Sequence, residues 1–275
     1  VERRRTSTAI ARSVTVFGAA ALLICSVSDA AGQGHEVRIT RAIKDVKLAS
    51  AHGPTRPVVA SERVSDGAIL RTGVDSRAEI RFAGQAVARL GGKTALRSRN
   101  QARDLELLDG AVLFQVPKDT WDAKITTAGI NVATAGTTGI IERYGRAYVK
   151  VLVLEGTARV YLNEVGESVL VTPGQLLITK PGAKTLPEAV HFNIAQLLKT
   201  SLLTGRDFAQ LASRARIDEE IRKQQNDPDF TPTNLVIYGR GTLVTLVPPQ
   251  SSPTASPKPA NSPRVSTPAR RSRSN

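Results

Sequence analysis

The residues able to do chemistry in this chain are few, and their spacing does not suit them to it. Three histidines, His35, His52 and His191, stand far apart. None belongs to a His-Glu-x-x-His pattern, in which two imidazoles on one helix face hold zinc. The lone cysteine, Cys25, excludes a disulfide framework and every multi-cysteine zinc site. Gly91-Gly-Lys-Thr94 ends like a phosphate loop, but position 87 is Val where that loop needs Gly, and its surroundings read as strands rather than strand–loop–helix. No Gly-x-Ser-x-Gly elbow is present to expose a serine nucleophile. Asp218-Glu219-Glu220 offers three adjacent carboxylates. Neighbouring positions on a helix point in different directions, so a solvated face fits better than a metal or acid–base cluster. A glycosidase needs two facing carboxylates, a placement that only a fold can supply. Apart from that open case, these residues predict no catalytic group, no metal and no cofactor.

Composition bounds the rest. The 275 residues carry 38 Lys and Arg against 24 Asp and Glu, for a net charge of +14. Half of that excess sits at the ends: residues 1–30 contribute +2 and residues 248–275 contribute +5, leaving +7 on the body. The overall charge therefore overstates any polyanion-binding surface on the folded part. Aromatic residues make up only 4%, too few for a base-stacking nucleic-acid platform.

The two ends read as segments apart from the fold. Arg3–Arg5 form a positive start, Val14–Val27 an apolar run, and Ser28-Asp29-Ala30 a small-x-small cleavage site. That order is the signature of a secretory signal peptide over residues 1–30, cleaved near Ala30. The run is shorter than the ~20 residues that span a bilayer, so the mature form is expected to have no transmembrane span. Ile24 before Cys25 does not suit lipidation. The expected location is periplasmic or secreted. From Pro248 the chain is rich in Pro and Ser, and nothing in it offsets the entropy of ordering. A disordered tail over 248–275 is predicted, with Arg270, Arg271 and Arg273 as possible electrostatic contacts.

The body must position whatever function there is, and it is strand-rich. Glycines followed by alternating apolar residues recur at Asp66-Gly67, Asp109-Gly110, Glu155-Gly156 and Pro173-Gly174. Each predicts a tight turn leading into a half-buried strand. Further strands are expected at Val37–Arg41, Ile43–Ala49, Ala78–Phe82, Ala86–Leu90, Ala123–Thr127 and Tyr148–Leu154. The irregular gaps between the glycines argue against a strict solenoid period. Two helices follow in 187–247: one with Phe192, Ala195, Leu198 and Leu202 on its apolar face, ending near Gly205, and one starting with Phe208, Leu211, Ala212 and Ala215 and ending at Asn226-Asp227-Pro228. Leu235–Tyr238, Gly239-Arg-Gly241 and Thr242–Val247 predict a hairpin.

Four motifs in order carry a family resemblance. They are Gly67-Ala-Ile-Leu-Arg-Thr-Gly73 followed by Ser76–Phe82, then Leu107-Leu-Asp-Gly110-Ala-Val-Leu-Phe-Gln-Val, then Thr126-Thr-Ala128 leading to Ala135-Gly136-Thr137, and finally Val149–Gly156. Over about residues 66–162 the chain resembles the FecR domain family, a bacterial envelope module, and Gly174 extends the pattern. The resemblance implies a mainly β fold, a compact β-sandwich or solenoid-like domain over 31–186 with a helical pair and hairpin at 187–247. It also implies work through protein contacts rather than catalysis. Gly67, Gly73, Gly110, Gly136, Thr137, Gly156 and Gly174 are then structural turn residues of the motif. Thr138-Gly139 stands where the family often has an aromatic. Signal-transducing members carry a sigma-factor-binding segment and a membrane span before this domain. Val1–Ser13 are too short for that segment, so direct sigma-factor control is not expected. The leading expectation is an exported, non-catalytic module that binds an envelope protein in signalling or scaffolding. The alternatives are a cell-wall or polysaccharide-binding protein and, behind it, a carboxylate-based hydrolase.

Overall fold

The computed structural model describes residues 37–50, 53–59, 61–82, 85–100, 104–118, 123–162, 164–233, 235–238 and 243–246. In chain order the first strands are β1 (Val37–Ile43), β2 (Val46–Ala49), β3 (Thr55–Pro57), β4 (Ile69–Thr72), β5 (Arg77–Phe82), β6 (Val87–Leu90) and β7 (Ala95–Arg99). They are followed by β8 (Asp104–Val116), β9 (Ala123–Thr127), β10 (Ile130–Tyr144), β11 (Tyr148–Leu162), β12 (Ser168–Val171), β13 (Gln175–Thr179) and β14 (Val190–His191). Two helices, α1 (Ile194–Thr200) and α2 (Arg214–Asn226), precede the hairpin β15 (Leu235–Tyr238) and β16 (Leu243–Leu246). The protein is mainly β, and fourteen strands join in one mixed, open sheet. The predicted signal segment, His35, His52, the Gly239–Gly241 turn and the tail with Arg270, Arg271 and Arg273 lie outside the described residues.

Three long strands organise the sheet. β8, β10 and β11 run for 13, 15 and 15 residues, and each changes partner part-way. β8 pairs with β7 through Asp104–Asp109 and with β6 through Val112–Gln115. β10 pairs with β9 over Ile130–Thr134 and with β8 over Thr137–Arg143. β11 pairs with β13 over Val149–Leu152 and with β12 over Ala158–Tyr161. The changeovers fall at or beside Gly110, Gly136 and Gly156, all at positive φ.

This corrects the sequence reading. Gly67 and Gly174 do lie in turns, and Gly73 immediately precedes one, but Gly110, Gly136 and Gly156 are bends inside continuous strands. The reason is steric at the β10–β11 bend. A Cβ on Gly156 would overlap the Gly136 carbonyl oxygen and lie 2.8 Å from the Thr137 Cα. The two backbones touch there, and the pairing register slips between Ala135 and Gly139, as at a β-bulge. Thr137, fully buried, closes the bend by donating its hydroxyl to the Thr157 carbonyl at 2.5 Å.

The bends divide the sheet into two halves. One holds β3, β2, β4, β7, β9, β12 and the adjoining ends of the long strands; the other holds β1, β5, β6, β13, β14 and the opposite ends. Side chains from both halves, among them Leu70, Ile125 and Val160 with Ile80, Phe114 and Val151, share one core. Apart from the parallel β8–β9 pair, the pairings are antiparallel, which makes the fold a sheet bent over its own core rather than a solenoid.

The middle strands of the second half are buried on their outer face too. Leu113, Ile140, Leu152 and Leu176 meet Ile194, Leu197 and Ile217 of the helices in a second cluster. Hence Val149–Leu154 reads as an almost unbroken apolar run instead of an alternation, as strands covered on both faces do.

Both helices differ in phase from the sequence reading. Asn193 caps α1 by accepting from the Gln196 N–H at 2.9 Å, so Ile194 and Leu197 face the sheet while Leu202 is exposed. α1 stops at Thr200, short of Gly205. Phe208, Leu211 and Ala212 precede α2 instead of starting it. The Arg89 guanidinium takes the carbonyls of Leu203, at 3.0 Å, and Ala209, at 2.5 Å, oxygens that a helix would need for itself.

Candidate partner-binding site

A cavity of about 320 Å3 opens beside the β10–β11 hairpin tip. Five pieces of chain wall it: the β4–β5 turn with Val74 and Asp75, the β6–β7 turn with Gly92 and Lys93, Asp109–Ala111 of β8, the β10 end with Glu142–Tyr144, and Leu202–Leu203 after α1. Val74, Tyr144 and Leu202, three of the protein's exposed large apolar side chains, all stand on its rim. Tyr144 is 57% exposed and stacks on Tyr148 with ring centroids 5.7 Å apart. Arg77 on the wall pairs with Asp207 at 2.5 Å, and its buried Nε–H has no hydrogen-bond partner among the described residues.

Glu142 carries the cavity wall into the interior. It lies directly across from Lys150 in the β10–β11 register, and their side chains form an ion pair at 2.5 Å. Lys150 is 0% exposed, and Tyr148 lies beside the pair with its hydroxyl donating to Glu142 at 3.4 Å. The Lys150 ammonium also sits 5.7 Å from the Tyr148 ring centre. Burial pushes the Lys150 pKa down to about 8, partly offset by the Glu142 charge and its hydrogen bond. Along one face the sheet thus passes from apolar core to a buried ion pair to two stacked tyrosines at the solvent edge.

Other buried charges fasten the helical segment to the sheet. Arg89, 3% exposed, donates to Glu79 at 2.9 Å besides holding the two carbonyls, and its guanidinium lies 4.8 Å over the Phe208 ring. Burial lowers the Arg89 pKa against the opposing pull of Glu79. Glu155 receives two hydrogen bonds from Arg216 and one from the Thr138 hydroxyl at 2.7 Å. Thr138 is also hydrogen-bonded to Ser213, whose hydroxyl makes no capping bond to α2. Gln224 donates to the Phe192 carbonyl and accepts from the Ile194 N–H, tying α2 to the start of α1.

The sequence candidates for chemistry are dispersed by the fold. His191 bonds Gln175 and stacks on Phe230. Gly91–Thr94 form the β6–β7 turn between two strands, and Thr94 is buried against the Ala111 backbone. Asp218 pairs with Arg214, while Glu219 and Glu220 pair with Lys223 on the surface of α2. No group of three potential metal ligands occurs among the described residues. Sequence reasoning missed Glu142, Tyr144, Tyr148 and Lys150. Of these four, only Tyr148 and Lys150 fall on an expected strand, and the register that sets Glu142 across from Lys150 is not written in local pattern.

This bent, mainly β architecture with its helical cover includes a stretch that is similar to a known family. Residues 68–159, about one third of the chain, match the family model described as FecR protein. The match runs from the entry to β4 almost to the end of β11, so it includes all three bends and the hairpin tip. No curated protein matches the chain. Two solved structures, both described as candidate anti-sigma factors from Parabacteroides distasonis ATCC 8503, are similar in part. One is 16% identical, with 43% of this chain and 57% of its own length covered, at a TM-score of 0.38. The other is 17% identical, with 62% and 82% covered, at 0.42. The chain therefore spans a little over half the length of the first. Among the described residues, no helix is long and apolar enough to cross a membrane.

Proposed function

We propose that this protein is a non-catalytic FecR-like module, exported to the bacterial envelope by residues 1–30, that works by holding another envelope protein in signalling or scaffolding. The observation that carries this reading is the convergence of Val74, Tyr144 and Leu202 on one cavity. Exposed apolar and aromatic side chains gathered around a concavity are the composition of an interface centre. Arg143 beside Tyr144 adds a cation. The buried ion pair behind Tyr144 gives the hairpin tip a fixed register, so little order has to be gained on binding.

The test is capture from envelope extracts with the full chain and with a Tyr144→Ala, Leu202→Glu variant of unchanged melting temperature. A protein retained by the wild type and lost by the variant supports the site. Identical capture by both removes it. Export is tested separately, by fractionation and by the mass of the mature N-terminus, which is expected at Ala31.

A further inference from the structure

The two halves of the sheet differ in what lies on their outer faces. Helices bury the middle strands of the second half, while outward positions of β1 such as Arg38 and Thr40 stay exposed. On the first half the outward positions are polar, and cations predominate. Lys47, Arg71, Arg97, Arg99, Lys124 and Arg159 all alternate with residues that point into the core, such as Leu48, Leu70, Leu96, Ile125 and Val160. Two acids, Asp104 and Glu106, share this face. Arg97 and Arg99 both reach Glu106, at 2.8 and 3.4 Å, and Lys47 reaches Asp45. Arg71 and Lys124 have no ion-pair partner among the described residues, and Arg159 bonds only the Ser168 hydroxyl there.

The pairing register arranges three of these cations in a line. Arg99 lies across from Asp104, Asp104 from Lys124, Lys124 from Ala133, Ala133 from Arg159, and Arg159 from Leu170. One transverse row therefore carries a cation on every second strand, β7, β9 and β11. With strands roughly 4.8 Å apart, neighbouring cations in the row are about 10 Å apart at their backbones. A second place on the face sets Lys47 directly across from Arg71, with Asp45 as the one acid bonded to the pair among the described residues.

We infer that this face binds a linear anionic polysaccharide that lies across the strands and carries one carboxylate per two sugar rings. Charge complementarity selects a polyanion, and the spacing selects its type. A nucleic acid strand brings a phosphate about every 3.4 Å, far denser than the row. It also needs aromatic platforms for its bases, and among the described residues Tyr161 is the one aromatic at the outward positions that β9–β12 contribute to this half. The face is flat and its contacts are exposed ion pairs, so binding is weak per site, repeated along the polymer and lost at high salt. This surface is separate from the cavity beside Tyr144, and neither reading depends on the other.

The test uses the full chain against immobilised hyaluronan, whose repeat holds one carboxylate per disaccharide, with single-stranded DNA and neutral dextran as comparison polymers. The wild type is expected to bind hyaluronan at low salt, to prefer it to the DNA and to ignore dextran. Arg99→Gln, Lys124→Gln and Arg159→Gln together are expected to weaken binding about tenfold and to flatten its salt dependence. The charge-preserving pair Arg99→Lys, Arg159→Lys is expected to bind like the wild type. Replacing Arg270, Arg271 and Arg273 by Gln is expected to leave most of the affinity. Equal binding by the triple Gln variant, loss of most binding with the tail variant, or tighter binding to DNA than to hyaluronan would each overturn the inference. None of these outcomes bears on capture of a protein partner at the cavity.

Discussion

Replacing Lys150 should expose how much the buried pair costs and why it is retained. The Lys150 pKa lies near 8 in the folded protein against an ordinary 10.5. That gap corresponds to roughly 3 kcal/mol of preference for the neutral amine. Below about pH 8 the amine is protonated in folded and unfolded chains alike, and this group gives stability no slope. Between about 8 and 10.5 the unfolded chain holds more protons, so stability rises with pH, by up to roughly 3 kcal/mol. Lys150→Met at neutral pH leaves the Glu142 carboxylate buried without its cation and is expected to cost about 3–5 kcal/mol. Lys150→Met combined with Glu142→Leu removes both charges and is expected to stay within about 1 kcal/mol of the wild type, or to exceed it. Urea unfolding at pH 7 and pH 9.5 reads both effects, with the double variant as reference for all other titrating groups. The reasoning is refuted if the single variant unfolds within about 1 kcal/mol of the wild type. It is equally refuted if the double variant keeps the wild-type gain between the two pH values.

Other perturbations test the bends and the fastening of the helices. Gly156→Ala sets a Cβ against the Gly136 carbonyl at a φ of 75°, and is expected to cost roughly 3 kcal/mol in chemical denaturation. Gly166→Ala, also at positive φ but with open space around it, should cost only about 1 kcal/mol. Arg89→Ala strands the buried Glu79 and releases the Leu203 and Ala209 carbonyls, for an expected loss of about 3–5 kcal/mol and new proteolysis between residues 203 and 211. Arg216→Ala should cost less, about 1–2 kcal/mol, because Arg216 is half exposed and Glu155 keeps the Thr138 hydroxyl.

Much of the strand content could be read from local pattern. The expected strands at Ala123–Thr127 and Ala78–Phe82 match β9 and β5 closely, because alternation, β-branched residues and flanking turn residues all agree there. The same logic failed at Gly110 and Gly156. A glycine after an acid looks alike whether the chain reverses or merely bends, and what separates the two is whether a second strand pairs beyond it. The helix phases failed for a related reason. Leu202 and Leu203 are equally apolar, and the choice between them came from the Asn193 cap and from carbonyls claimed by Arg89, a residue more than 100 positions earlier.

The amino-acid sequence alone determined the class of this protein: strand-rich, with the ordered motifs of one family over its middle and an uneven charge concentrated at the ends. Those properties are local or additive along the chain, so no fold is needed to see them. Tertiary structure decided everything that depends on a register. It made an ion pair of Glu142 and Lys150, gathered Val74, Tyr144 and Leu202 from three distant segments around one cavity, and aligned Arg99, Lys124 and Arg159 across alternate strands. Side chains change face with every residue of a strand, so one step of slippage would scatter all three constellations. The sparse chemistry legible at the outset therefore became two surfaces only after the bends had set which strands lie side by side.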